Sequence, residues 1–258
     1  MIKCSSTIWP KEFFEKCRKP RLFQGLDESS LQIILSNSLL HHYEAEQILV
    51  QQGDEPTYIY LIIEGHVKTL RSNIGGEETT IRMLELGDVC MEAVVFMGGP
   101  SPIAVHTSEK SYLMLIPAKF VRSFVLQNHQ FAANLLKIVT HHYKNAMHQI
   151  DAMAIKTPVQ RVGYYFLQKH MEQGSNNMEF ELPFKKSTIA NHLGITPETF
   201  SRALGQIKKM GIEVEGEKMR LKDAYALCHF CDLDSAHECT LMNKEDCPHC
   251  PHHGENYN

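Results

Sequence analysis

The stretch from Lys185 to Met210 constrains the fold most, because it predicts two short helices joined by a tight turn. Ser187 is expected to cap the first helix, and Gly194 is placed to end it in a left-handed conformation. Thr196 is expected to cap the second helix, since Pro197 follows at its first position, where a missing N–H costs nothing. This stretch therefore predicts a helix–turn–helix.

The second helix separates into two faces on a helical wheel. Its apolar face consists of Phe200, Ala203, Leu204 and Ile207. Its opposite face consists of Glu198, Ser201, Arg202 and Gly205. Arginine can grip guanine O6 and N7 together, glutamate can accept from cytosine N4, and glycine allows close approach, so this face suits a DNA major groove. An ordinary solvated face is the alternative for a helix considered alone.

The charge of the chain is unevenly distributed. The formal net charge is −4 at pH 7, which on its own argues against a nucleic-acid partner. Between Pro183 and Gly211, however, five lysine and arginine residues accompany one glutamate, so the helix pair is locally basic. The remaining candidate DNA contacts are Lys185, Lys186, Thr196, Thr199 and Lys208.

The region from Glu46 to Pro117 has a different pattern. Short β-prone runs alternate there with glycine-containing turns, which indicates an antiparallel barrel or jelly roll. A helix is expected before it, starting at Asp27. Barrel oxygenases need an H-x-H motif with a downstream glutamate, and no H-x-H occurs between Gln47 and Pro117, so an enzyme is not expected.

A long helix is predicted from about Gln130 to Ala154, a stretch without proline or glycine. Apolar residues recur in it at spacings of 3, 4, 3, 4 and 3, which is typical of a coiled-coil seam and predicts a homodimer. The seam residues are Leu136, Val139, Tyr143, Ala146, Ile150 and Met153. The alternative is packing on the chain's own barrel, for which Leu135, Ile138 and His142 are the candidates; both arrangements can hold at once.

A further helix, a strand and a terminal hairpin surround the helix pair and complete a winged helix. The predicted fold is α+β, with an N-terminal double-stranded β-helix (a jelly roll), a long dimerisation helix, a C-terminal winged helix–turn–helix and a cysteine-rich tail. The expected domains are an extension (1–25), a barrel sensor (26–129), a dimerisation helix (130–155), a DNA-binding domain (156–226) and a metal-binding tail (227–258).

The location of the protein is predicted from what the sequence lacks. No apolar run approaches the roughly 18 residues of a membrane span. The N-terminal residues have no apolar core of a signal peptide. A cytoplasmic protein is expected.

Five of the eight cysteines lie between Cys228 and Asn258, in a segment with six acidic residues and one lysine. They follow the pattern C-x2-C-x7-C-x7-C-x2-C and are Cys228, Cys231, Cys239, Cys247 and Cys250. The outer pairs match the spacing of tetrahedral zinc sites, and the same thiolates could hold an iron–sulfur cluster. A disordered acidic tail with incidental thiols is the alternative.

The order of these parts resembles the Crp–Fnr superfamily of bacterial transcription regulators, from about Gly25 to Asp223. The long helix and three segments carry the resemblance: GDEPTYIYLIIEGHVKTLR, LELGDV and ITPETFSRALGQIKKMGIEVEGEKMRL. Glu198, Ser201 and Arg202 match the E-x-x-S-R pattern of the Fnr-like branch. The resemblance implies TTGAT-like half-sites in an inverted repeat, one per subunit of a dimer, and RNA polymerase as a partner.

The resemblance leaves the effector open. Superfamily members that bind cyclic nucleotides hold the phosphate with a Gly-Glu pair and an Arg-Ser pair. Here Met91-Glu92 replaces Gly-Glu, and no arginine occurs between Arg82 and Arg122, so cyclic AMP is not expected. The segment MEAVVFMGGPSPIAVHT is similar to dissimilatory nitrate respiration regulators, which implies a nitric oxide response and possible haem in the barrel. The candidate axial ligands are His41, His42, His66, His106, His141 and His142.

The N-terminal cysteine cluster of Fnr has no counterpart, since Cys4 and Cys17 are too few. The C-terminal cysteines instead resemble, in position, the cluster-holding cysteines of Bacillus-type Fnr regulators. A redox, oxygen or nitric oxide signal is therefore expected. The alternatives are a regulator with structural zinc and a small-molecule or haem effector in the barrel, and an interaction adaptor of the same fold that does not bind DNA.

Overall fold

The computed structural model describes residues 2–3, 20–172, 178–223, 225–232 and 235–236. The chain divides into two compact units, residues 1–147 and 148–258, called here the N-terminal unit and the C-terminal unit. No helix in the described ranges is long and apolar enough to cross a bilayer. The predicted α+β fold class is confirmed.

Two antiparallel sheets form the barrel of the N-terminal unit. One has the strand order β1-β2-β9-β4-β7 and the other β3-β8-β5-β6. The strands are β1 (Ile2–Lys3), β2 (Leu39–Tyr43), β3 (Ile48–Val50), β4 (Tyr58–Glu64), β5 (Val67–Ser72), β6 (Glu78–Leu84), β7 (Val89–Cys90), β8 (Ala104–Thr107) and β9 (Ser111–Pro117).

Strand β4 is apolar along nearly its whole length because both of its faces are buried. Ile59, Leu61 and Ile63 belong to a core shared with the helices of this unit. Tyr60 and Ile62 belong to a second core between the two sheets. A continuous apolar run is the pattern expected for a strand covered on both sides.

The helices of the N-terminal unit are α1 (Glu28–Asn37), α2 (Glu92–Met97), α3 (Ala118–Val125) and the first part of α4 (His129–Ile155). The predicted start of α1 is confirmed, because the Asp27 carboxylate accepts from the backbone N–H of Ser30 at 2.6 Å. Strand β2 and helix α2 were not predicted; each is short and lacks a repeated apolar period.

Helix α4 has one buried apolar stripe and one exposed apolar stripe. Leu135 and Ile138 are buried in the N-terminal core. Leu136 and Tyr143 are about two-thirds exposed, at 65% and 68%. The predicted barrel-facing stripe and the predicted seam therefore lie on different sides of the helix.

The C-terminal unit consists of α5 (Pro158–Glu172), α6 (Lys186–His192), α7 (Pro197–Lys208) and a three-stranded antiparallel sheet in the order β10-β12-β11. The strands are β10 (Glu179–Glu181), β11 (Ile212–Glu215) and β12 (Lys218–Leu221), and a 3-10 turn follows at Cys228–Phe230. The expected capping by Ser187 is wrong: the N-cap is Lys185, which supplies no side-chain bond. Gly194 follows the C-cap of α6 with φ of +64°, so the predicted left-handed conformation at the end of this helix is confirmed.

Candidate nucleic-acid interface

Helix α7 buries one face and exposes the other. Thr196 caps it by accepting from the backbone N–H of Thr199 at 3.2 Å, and Pro197 occupies the first position. Phe200, Ala203 and Ile207 are buried, and the helix packs on α5 and β11. This packing fixes the opposite face outward.

The exposed face contains the four residues singled out from the sequence: Glu198, Ser201, Arg202 and Gly205. A backbone N–H at the helix start and the Thr196 hydroxyl hold the pKa of Glu198 below its ordinary value, and the positive charge of Arg202 acts in the same direction. Glu198 is therefore an anion at neutral pH. An anionic acceptor and a guanidinium donor one helical turn apart can pair with cytosine N4 and guanine O6/N7.

Gly205 leaves space that no neighbouring group fills. A Cβ at this position would meet no heavy atom within 4 Å in the described structure. Because glycine in a helix interior is destabilising relative to alanine, packing within the protein does not explain its presence.

The other candidate contacts are placed less uniformly. Lys185 is exposed, while Lys186 reaches the carbonyl oxygen of Val214 at 3.5 Å. Lys208 pairs with Glu213 at 3.2 Å on the surface. Thr199 is half-buried at the edge of the face. Four of the candidate contacts therefore share the exposed face of α7, while Lys186 and Lys208 contact other groups of this chain.

Two side chains that the sequence interpretation missed connect the end of α4 to the helix–turn–helix. Arg161 donates to the carbonyl oxygens of Met153, Lys156 and Leu193 at 2.8, 3.1 and 3.2 Å. Gln149 donates to the carbonyl oxygen of His192 at 3.0 Å. The sequence offered one signal for these contacts. The last carbonyl groups of a helix need donors from outside the helix, and an arginine follows closely after the end of α4.

The first cysteine pair lies on a tight turn. The backbone N–H of Cys231 donates to the carbonyl oxygen of Cys228 at 3.0 Å, and both side chains are half-buried. Phe230, between them, is buried against Gly163 of α5. The turn is therefore an ordered part of the C-terminal unit.

Asp232, directly after this turn, is held by an ion pair and two hydrogen bonds. Its carboxylate pairs with Lys156 at 3.2 Å and accepts from the backbone N–H and hydroxyl of Ser235 at 3.0 and 2.7 Å. Burial opposes ionisation of Asp232, but the Ser235 hydrogen bonds and Lys156 hold its pKa below the ordinary value. Lys156 also lies over the ring of Tyr164, 4.6 Å from its centroid.

The residues present fit half of a metal site. A C-x2-C pair on one turn is the unit from which tetrahedral thiolate sites are built. Cys239, Cys247 and Cys250 lie outside the described residues, and no group of three metal ligands occurs within them. A metal or cluster here would need ligands from the segment after residue 236.

The barrel histidines do not converge on one point. His66 contacts Glu109, His41 packs on the ring of Tyr43, and burial lowers the pKa of His106. Both ring nitrogens of His142 are engaged, one by Arg82 and one by Glu92. Among the described residues, these histidines belong to no group of three or more metal-ligating side chains.

Two family models match this architecture. The first, described as a cyclic nucleotide-binding domain, matches residues 40–128, and the second, described as a Crp-like helix-turn-helix domain, matches residues 160–230. Together they cover more than half of the chain.

Individual proteins match over a similar extent. An anaerobic regulatory protein from Pasteurella multocida (strain Pm70) is 28% identical over 71% of this chain and 68% of that protein. The fumarate and nitrate reduction regulatory protein of Salmonella typhi is 25% identical over 70% of this chain and 74% of that protein. The structure of FixK2 from Bradyrhizobium japonicum has a TM-score of 0.67 at 20% identity, covering 76% of this chain and 98% of that one, which is a likeness of fold.

Proposed function

Because the chain is a DNA-binding transcription regulator of the Crp–Fnr superfamily, we propose that it reads a TTGAT-like inverted repeat as a homodimer. Members of this family are regulators without enzymatic activity, so the chain is not an enzyme. The observation that carries the proposal is the exposed face of α7. Glu198, Ser201 and Arg202 share this face, and the opposite face of the helix is apolar and buried.

The roles of these residues follow from their hydrogen-bonding capacity. Arg202 donates two parallel bonds to guanine, and ionised Glu198 accepts from cytosine. Ser201, exposed between them in sequence, can donate or accept. Thr196, Thr199, Lys185, Lys186 and Lys208 contact phosphates and fix the register of the helix in the groove.

The homodimer is supported by the exposed seam of α4. Leu136, Tyr143 and Ile150 are all more than half exposed in the single chain. Apolar residues at a strict 3–4 spacing are stabilised when a second helix buries them. A two-fold dimer presents two α7 helices to two half-sites, which accounts for an inverted repeat. The DNA-bound dimer then contacts RNA polymerase, in the cytoplasm where the chromosome lies.

A redox, oxygen or nitric oxide signal is proposed instead of cyclic AMP. Two of the similar proteins are titled as an anaerobic regulatory protein and a fumarate and nitrate reduction regulatory protein. Glu92, which would face a cyclic nucleotide, is bonded to Arg82 and His142 of this chain. An effector in the barrel, including haem, is the alternative.

The C-terminal cysteines are the proposed sensor. Cys228 and Cys231 would supply two thiolates, and two of the three cysteines Cys239, Cys247 and Cys250 would supply the others, to an iron–sulfur cluster or to zinc. A bound cluster would supply sensitivity to oxygen and nitric oxide, whereas zinc would be structural. The rest of the chain fixes the position of the Cys228–Cys231 turn. Phe230 packs this turn against α5, and α5 packs directly on α7.

A gel shift with purified protein tests the DNA-binding proposal. The protein should bind a TTGAT-type inverted repeat at least about a thousandfold more tightly than a scrambled duplex at the same salt concentration. Equal affinity for both duplexes would indicate an adaptor of the same fold and would end the proposal.

A visible spectrum and metal analysis of anaerobically purified protein test the sensor. Iron with broad visible absorbance indicates an iron–sulfur cluster, and colourless protein with zinc indicates the structural alternative. A sharp Soret band would move the sensor to the barrel. Protein without any metal would contradict the proposed sensor.

A further inference from the structure

Three side chains from three elements meet at the surface of the barrel: Arg82 of β6, Glu92 at the start of α2, and His142 of α4. The Nδ1 atom of His142 lies 2.6 Å from Oε1 of Glu92, and its Nε2 atom lies 2.7 Å from Nη2 of Arg82. Arg82 also donates to the carbonyl oxygen of Val89 at 3.1 Å and approaches Oε1 of Glu92 at 3.5 Å. All of these residues belong to the N-terminal unit.

The chemistry of arginine assigns the proton on the histidine. A guanidinium has donors only, so Nε2 of His142 must be the acceptor in its contact with Arg82. The remaining nitrogen, Nδ1, therefore carries the hydrogen and donates it to Glu92. The bonds run in one direction, from Arg82 to His142 to Glu92, and the imidazole is neutral.

The carboxylate at the end of this chain depends on its two partners. Glu92 is only 2% exposed, and its second oxygen accepts no hydrogen bond from the described part of the chain. A buried anion that loses a hydrogen-bonded partner is costly. Because Glu92 is buried, water cannot readily replace the hydrogen bond that His142 of α4 donates to it.

His142 occupies a defined place on α4. It continues the buried stripe of Leu135 and Ile138 at a spacing of four, and it directly precedes the exposed seam residue Tyr143. It is the last residue of that stripe before the N-terminal unit ends at Met147. Apolar contacts permit a helix to slide or rotate by small amounts, whereas two directional hydrogen bonds fix its rotation.

We propose that His142 is a positioning residue which fixes the rotation of α4 on the barrel, so that Leu136, Val139 and Tyr143 face the second subunit. Arg82 and Glu92 are the barrel's side of this contact. The inference rests on the dimeric function proposed above and adds which residues orient the seam.

Two substitutions separate the hydrogen bonds from the bulk of the side chain. His142→Phe keeps a ring but removes donor and acceptor, and should weaken dimerisation by about tenfold or more in sedimentation equilibrium. His142→Gln retains an acceptor for Arg82 and a donor for Glu92, and should dimerise within about threefold of wild type. The matched control is His141→Phe on the same helix, where the ring contacts Asn145 and the ring of His142 but neither Arg82 nor Glu92 in the bonds described above, and it should dimerise as wild type does.

Nitrogen-15 NMR of the imidazoles tests the proton assignment in the unaltered protein. At neutral pH, His142 should give a protonated Nδ1 and a bare Nε2. An Nε2–H tautomer, or protonation of both nitrogens, overturns the assignment and the inference.

The outcomes of the dimerisation experiment are distinct. A folded His142→Phe protein that dimerises like wild type overturns the inference alone. If His142→Phe does not fold, the His142→Gln variant decides. A folded His142→Gln protein whose dimerisation is more than about tenfold weaker than that of the His141→Phe control contradicts the inference. A wild-type chain that remains monomeric at micromolar concentration overturns the proposed dimeric function, and this inference with it.

Discussion

Phe230 packs against Gly163 so closely that any side chain at Gly163 would overlap the phenyl ring. Gly163 lies in the interior of α5, where alanine would favour the helix by roughly 0.5–1 kcal/mol. The glycine therefore serves the contact and not the helix. This contact holds the turn that carries Cys228 and Cys231.

Replacing Gly163 by alanine should destabilise the protein, although the same change usually stabilises a helix. Overpacking against Phe230 should cost about 1–3 kcal/mol in the free energy of unfolding, measured by urea denaturation. The double variant with Phe230→Leu should lose less than the sum of the two single variants, because the smaller side chain relieves the overlap. A Gly163→Ala protein more stable than wild type would contradict the packing.

Gly205 provides the opposite case in α7. Since its Cβ position is open, Gly205→Ala should stabilise the protein by about 0.5–1 kcal/mol in the same urea titration. Operator affinity should nevertheless fall, because the added methyl group would meet the DNA. Gln206→Ala, at the next exposed position, should leave the gel shift unchanged. Unchanged affinity of Gly205→Ala would place this face away from the groove.

Of these two glycines, the environment of Gly205 could be predicted from the sequence and that of Gly163 could not. The exposed position of Gly205 could be predicted from the period of α7, because both faces of one helix are set by local spacing. The contact of Gly163 could not, since Phe230 lies 67 positions further along the chain. A glycine within a helical pattern does not show which distant side chain approaches it.

Arg202→Ala should weaken specific binding by about 1–3 kcal/mol and relax the preference at one guanine, because a bidentate contact is lost. Lys208→Ala is the matched comparison, since Lys208 is a candidate phosphate contact. It should weaken binding to all sequences similarly and reduce the salt slope by about one. Quantitative gel shifts on single-base variants of the repeat at several salt concentrations measure both effects. Loss of affinity without change of preference in Arg202→Ala would reassign this residue to the backbone.

The double substitution Cys228→Ser and Cys231→Ser should remove the metal from the C-terminal segment, because serine is a poor ligand for thiolate-binding metals. Metal analysis and the visible spectrum of anaerobically purified protein give the readout. Cys90→Ser is the control, since Cys90 is fully buried in the barrel core and should not affect metal content. Full metal occupancy in the double variant would mean that the outer cysteine pairs do not form the site.

The barrel shows the same limit of sequence reasoning as Gly163. The alternation of short strands predicted the architecture, and the 3–4 spacing predicted both stripes of α4. The Arg82–Glu92–His142 contacts join residues 10 and 50 positions apart, and no local period specifies such a pairing. The one available signal was a polar residue, His142, on a stripe that is otherwise apolar, since buried polar groups need partners.

Glu92 should make the stability of the barrel dependent on acid. Burial opposes its ionisation, but the hydrogen bond from His142 and the charge of Arg82 hold its pKa below the ordinary value. The stabilisation is therefore complete above the unfolded-state pKa of about 4.3 and is lost as the pH falls through the lower folded-state value. In Glu92→Gln this loss is absent, so the stability difference between wild type and variant should shrink on acidification from neutral pH to about pH 3. Glu55→Gln, at an exposed position, should instead run parallel to wild type in urea titrations across this range. A difference that stays constant for Glu92→Gln would mean that folding does not lower the pKa of Glu92. A difference that grows on acidification would mean that folding raises this pKa and keeps Glu92 protonated, and a protonated carboxyl could not hold α4 through an ionic hydrogen bond from His142.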